Sequence, residues 1–268
     1  MKTKIIPKKS IAIKELLFIK SFKLAKNNPN KTVLMVLFDA LFLVSVFAVY
    51  NLSRYFASSL VVPTTTASAI IFLILTLIHY IILLFAYSFF KYSILDSIKS
   101  LFGKTEFSFK KLGNFYLFNI IIGCAFFAIM LVLNFILASI KQTYAPFVFI
   151  FLAVPYLLFL YVITNTSHSL FYQGASIKES IKKSLRITFT KIKIYRETIL
   201  IMILFALVLW LLFLGSGYLI SILASRNYTL YLNIYSYFKQ TSIIIFDLIL
   251  YLVILINRIS FYSIIREY

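Results

Sequence analysis

The stretch Ile199–Leu214 reads Ile-Leu-Ile-Met-Ile-Leu-Phe-Ala-Leu-Val-Leu-Trp-Leu-Leu-Phe-Leu, apolar at every position. A barrel strand alternates apolar and polar side chains over about ten residues, and nothing alternates here. A helix rises about 1.5 Å per residue and needs about 20 apolar residues to cross a hydrocarbon core of about 30 Å. The stretch is therefore the centre of a membrane-spanning helix, and five further runs share its character. Spans are predicted at 32–51, 67–90, 114–140, 145–166, 198–224 and 241–259. The expected fold class is all-α, a polytopic membrane protein with six transmembrane helices in a single integral membrane domain, 1–268. Composition agrees: the chain is 62% hydrophobic and 13% charged, about half the charge of a soluble domain.

Between the runs, basic and nearly uncharged segments alternate. Twenty-three of the 27 Lys and Arg residues fall in segments 1–31, 91–113 and 166–198 and in the C-terminal tail. The other three connections hold only Arg54, Lys141, Arg226 and Lys239. Basic residues are retained on the cytoplasmic side. Both termini are therefore expected in the cytoplasm of a multi-pass protein of the cell membrane. A net charge of +19 also raises nucleic acid as a partner, but no recognition module accompanies it. The expected partner is a bilayer with anionic headgroups, with a membrane protein or a second copy as further options and no nucleic acid. The single cysteine, Cys124, excludes an intrachain disulfide and a thiolate zinc site. The first apolar run follows a 31-residue lead, too long for a cleaved signal, and is read as a retained helix.

Ser-Ile pairs recur at Ser10, Ser93, Ser176 and Ser263, with a basic segment and two apolar runs after each of the first three. Across the 83-residue offset Asn51 falls on Asn134 and Pro63 on Pro146. The order of elements fits three helix-hairpin repeats, while any six-helix chain also divides into three hairpins. Ser176 with Glu179, and Ser93 with Asp96, match the capping pattern of a serine followed by an acid three residues later. After Ser176, Ile177, Ile181, Leu185 and Ile192 form one face of the predicted helix. Lys178, Lys182, Lys183 and Arg186 form another, suited to anionic lipid. After Ser93, Ile94, Leu95, Ile98, Leu101 and Phe102 make an apolar stripe that Gly103 ends, and stretch 10–26 has similar content. These segments are expected to be amphipathic helices in the headgroup plane, with continuation of the neighbouring spans as the rival.

The segment Ser176-Ile-Lys-Glu-Ser-Ile-Lys-Lys-Ser-Leu-Arg-Ile, followed by an apolar helix pair, resembles a group of six-helix membrane domains. Some of these are fused to glycerophosphodiester phosphodiesterases, and others stand alone without a known function. The resemblance implies the same six-helix architecture and carries over no catalytic residue. No stretch of this sequence has the acid and histidine content of the soluble phosphodiesterase domain.

Asp39, His79 and Asp247 are the ionisable residues well inside the predicted spans. Such groups cost about 2.5–3.5 kcal/mol to insert and by default face the bundle interior. Either each is satisfied at a helix contact, or together they mark a polar path for a transported ion or small molecule. His168 is placed outside the deep set. No His-x-x-x-His pattern, clustered carboxylates, serine-nucleophile motif or phosphate-binding glycine loop occurs, so no metal, cofactor or catalytic residue is expected and the chain is read as a non-enzyme. Gly217, Ser221 and Ser225 recur every fourth residue, a small-residue stripe for helix packing. Pro155 implies a kink in the fourth span. Sequons begin at Asn51 and Asn227 in predicted outer connections.

Overall fold

The computed structural model describes residues 16–59, 65–105, 107–223 and 228–267. Among the described residues all regular structure is helical: α1 (Leu17–Asn27), α2 (Pro29–Ser59), α3 (Thr66–Ser100), α4 (Phe109–Ala138), α5 (Ala145–Tyr172), α6 (Ile177–Thr190), α7 (Ile192–Leu223) and α8 (Tyr228–Glu267). Six of them, α2–α5, α7 and α8, are long and apolar enough to cross a membrane. The chain is an all-α, multi-pass integral membrane protein. Ser10, Pro63, Ser225 and Asn227 lie outside the described residues.

The spanning helices run past the predicted apolar limits, because residues flanking the hydrocarbon core still favour helix. The 35 residues of α3 amount to about 52 Å at 1.5 Å per residue. Consequently the segment after Ser93 is no separate interfacial helix. It is the last part of α3, and the Ser93 hydroxyl donates back to the Phe89 carbonyl at 2.9 Å instead of capping a new helix. A serine opens a helix only where the backbone before it leaves the helical path, and here the apolar run carries straight through. Of the predicted stripe, Ile94, Leu95 and Ile98 are buried and Leu101 and Phe102 half-buried, but Lys91, Tyr92, Ser93 and Ser97 are buried too, so burial is not confined to one face; the turn after α3 includes Gly103.

The third segment starts with the expected cap. Ser176 caps α6, accepting from the Glu179 N–H at 3.3 Å while its own N–H donates to the Glu179 carboxylate at 3.4 Å. Two residues equivalent under the 83-residue offset therefore have different structural roles. The amphipathic lead stands apart before α2 and α7, as α1 and α6, and is fused to α3 before α4. Asn51, expected in a connection, lies within α2 and donates its amide to the Phe47 carbonyl at 2.9 Å. Helix α5 continues unbroken through Pro155.

The contacts divide the described chain into two compact units. One joins the chain up to Lys23 with Glu197–Asn257, and the other comprises Leu24–Arg196 and Arg258–Tyr268. In the first, Phe18 N–H donates to Glu197 Oε1 at 3.1 Å, and Asn257 Nδ2 donates to the Thr198 carbonyl at 3.1 Å. Phe213 of α7 stacks on Phe238 of α8 with centroids 5.4 Å apart. Gly217 faces Tyr235 and Phe238, whose rings lie 3.7 and 3.8 Å from where a Cβ would stand. Both are ordinary van der Waals distances, so the rings pack on this face of α7 and a Cβ would also fit there. In the second unit, buried residues gather where the C-terminal part of α3, the start of α4, the end of α5, α6 and the end of α8 meet. Phe102 stacks on Tyr262 at 5.8 Å, Tyr161 meets Phe261 at 5.7 Å, and Lys31 donates to the Ser100 carbonyl. The basic segments of this unit therefore meet at one end, while many large apolar side chains along the spans stay exposed, as a lipid-facing surface requires.

Candidate functional site: a buried polar cluster and a basic cavity

Within the second unit, five helices contribute polar side chains to one buried region. From α2, Asp39 accepts from Arg258 Nη1 of α8 at 2.6 Å, with the side chains 15% and 20% exposed respectively. Lys91 on α3 is buried and donates to Asn165 Oδ1 of α5 at 3.2 Å. It also lies within electrostatic range of both Arg258 and Asp39. The Asn165 amide in turn donates to the Tyr161 carbonyl at 2.8 Å, so the amide orientation is set from both ends. Asn119 of α4 donates to Ser88 Oγ at 3.0 Å, and Ser88 donates to the Leu84 carbonyl at 2.7 Å.

His168, one turn beyond Asn165, is fully buried, and neither ring nitrogen meets a hydrogen-bond partner. Its ring packs edge-on against Phe115 at 4.8 Å and Phe118 at 5.6 Å, with Tyr87 at 6.4 Å. One carboxylate thus shares this region with an arginine and a buried lysine, where low dielectric makes any uncompensated charge costly. The arrangement can cement five helices, or it can hold and pass a proton. Among the described residues no group of three His, Cys, Asp or Glu gathers to hold a metal ion.

Of the residues singled out from the sequence, Asp39 and His79 do not converge. Asp39 belongs to this cluster, but His79 pairs with Ser53 at 2.5 Å in a separate α2–α3 contact. Ser53 is 14 positions from Asp39 on α2, about 21 Å along the axis. Asp247 belongs to the other unit and is exposed on α8, against the expectation that it points into the bundle. Lys91, Asn165, His168 and Arg258 were missed because the predicted spans stopped just short of them or ended on them. The available signal was local: Lys91 follows Phe89-Phe90, and Asn165 and His168 share a helical face three residues apart.

Beside this region, the α5–α6 turn forms a second feature. Gly174 has φ of 108°, a left-handed conformation that side chains disfavour. The Ala175 N–H bonds to the Leu170 carbonyl at 3.1 Å and the Gly174 N–H to the Phe171 carbonyl at 3.0 Å, a Schellman ending for α5. This turn sets α6 against α5. The face of α6 that packs is Ser180, Ser184, Ile187 and Thr188; Leu185 is exposed, and Ile192 is an exposed residue of α7. The packing face is therefore rotated from the predicted apolar stripe, because the small hydroxyl residues allow close approach, and Ser184 and Thr188 bond within the helix, to the Ile181 carbonyl at 2.9 Å and the Ser184 carbonyl at 2.8 Å. Lys178, Lys182, Lys183 and Arg186 are exposed as expected. A cavity of about 550 Å³ opens at the turn, lined by Lys99, Lys111 and Lys178 together with Tyr92, Asn114 and Tyr172.

No family model, curated protein or solved structure matches this chain.

Proposed function

We propose that this protein is a structural, scaffolding or accessory component of the cell membrane without an enzyme site. Its basic end faces the cytoplasm and the anionic headgroups of that leaflet. The observation that carries this reading is the separation of two intramembrane ionisable groups within one unit. Asp39 is engaged by Arg258 and His79 by Ser53, with Ser53 about 21 Å from Asp39 along α2. A conducting path needs such groups in succession along one route, whereas helix cement needs each satisfied at its own contact. Kinship with the six-helix membrane domains that the α6 segment resembles is part of the same proposal.

A transporter or permease is the second reading, favoured by one observation, the buried His168 beside Lys91 and the Asp39–Arg258 pair. The two readings separate in proteoliposomes loaded with a pH-sensitive dye. If the cluster is structural, the wild type moves no more protons than empty vesicles, and Asp39→Leu with Arg258→Leu still yields folded protein. Proton movement by the wild type that the double variant loses would establish the transport reading instead.

A further inference from the structure

We propose that the cavity at the α5–α6 turn binds a dianionic phosphate group, carried either by a lipid headgroup or by a free phosphate compound. The proposal deepens the basic-face reading and rests on it only for the leaflet that the cavity meets. Three cations reach the cavity from three separate elements, Lys99 from α3, Lys111 from α4 and Lys178 from α6. No carboxylate among the described residues lines it. The described acids of the flanking helices are already engaged. Asp96 accepts from Tyr172 and from Thr105, and Glu179 completes the α6 cap. Lys99 is held over the Tyr172 ring, 5.5 Å from its centroid.

The backbone adds to the same field. In the first turn of α6 the Glu179 N–H is taken by Ser176 Oγ, and the Ser180 N–H bonds to the Ser176 carbonyl at 2.8 Å. Ile177 and Lys178, which also line the cavity, have no carbonyl one turn back to receive their N–H groups. They stand at the positive end of the helix dipole. Tyr92, which also lines the cavity, is 1% exposed, and its hydroxyl falls short of a hydrogen bond although Tyr172 and Ser108 are its neighbours. Three ammonium groups and a helix N-terminus suit a tetrahedral dianion that accepts from several directions, better than a singly charged planar carboxylate. The volume of about 550 Å³ falls in the range of small-molecule sites. Lys182 and Arg186, on another sector of α6, do not line it.

The test titrates the full chain in neutral detergent with short-chain phosphatidic acid and, separately, with inorganic phosphate; phosphatidylcholine is the zwitterionic control. Phosphatidic acid should bind saturably. Lys111→Ala and Lys178→Ala, both at exposed positions that the fold tolerates, should each weaken it about tenfold, the equivalent of one charge-assisted hydrogen bond. Lys182→Ala combined with Arg186→Ala should leave the affinity unchanged. Displacement of the lipid by inorganic phosphate assigns the site to the phosphate group itself, and lysine-dependent lipid binding that phosphate does not displace assigns it to a headgroup. Equal losses in both sets of variants overturn the cavity and leave a diffuse basic face standing. Unchanged binding in the Lys111 and Lys178 variants, or no saturable binding of either probe, also overturns it.

Discussion

Asp39 shows what a single carboxylate does inside an apolar bundle. With Arg258 Nη1 2.6 Å away, its charge is compensated where water is scarce, and removing either partner leaves the other exposed to that cost. Breaking a buried pair costs about 3–5 kcal/mol, and the remaining exposure of 15% and 20% lowers the expectation for Asp39→Ala to about 2 kcal/mol. Replacing both partners by leucine should recover much of that loss, since apolar pairs of similar volume pack without a desolvation penalty. Unfolding in detergent measures both variants, and an additive loss in the double variant would contradict the pairing. Gly174 makes a second residue-scale case. Nothing lies within 4 Å of a Cβ added there, so Gly174→Ala should cost only the left-handed backbone strain, about 1–2 kcal/mol. That Asp39 lies inside a span was legible from the sequence. Its partner was not, because Arg258 and Asp39 are 219 positions apart and a lone arginine at the end of an apolar run looks like a topogenic charge.

The cap and the charged face of α6 were readable, since both are encoded locally in consecutive residues. Ser176→Ala should remove the side-chain acceptor for the Glu179 N–H and cost about 1 kcal/mol. Hydrogen exchange should then quicken in the first turn of α6 and stay unchanged in α3; uniform quickening across both would show that the cap is not a local device. The end of α3 was harder. A serine, an acid three residues later and an amphipathic stripe describe a helix start and a helix middle equally well. What decides is whether the chain before Ser93 breaks, and Phe89-Phe90-Lys91-Tyr92 contains no breaker. The rotated face of α6 was illegible for another reason: Ser180, Ser184 and Thr188 pack inward because they are small, and Ser184 and Thr188 bond their hydroxyls to carbonyls of their own helix, which a hydrophobicity pattern does not register.

At the scale of the whole molecule, six spanning helices follow from apolar length alone, and the gathering of basic segments at one end of the second unit follows from where those lengths stop. The compartment that this end faces is the central claim, because the headgroup reading and the phosphate cavity both depend on it for their setting. Single-cysteine labelling on a Cys124→Ser background tests it directly, since Cys124 is the only cysteine and is exposed. Lys141→Cys, in the α4–α5 connection, should react with a membrane-impermeant maleimide on intact cells. Lys183→Cys, on α6, should react only after the membrane is opened. Labelling of residue 183 from outside intact cells would contradict the account.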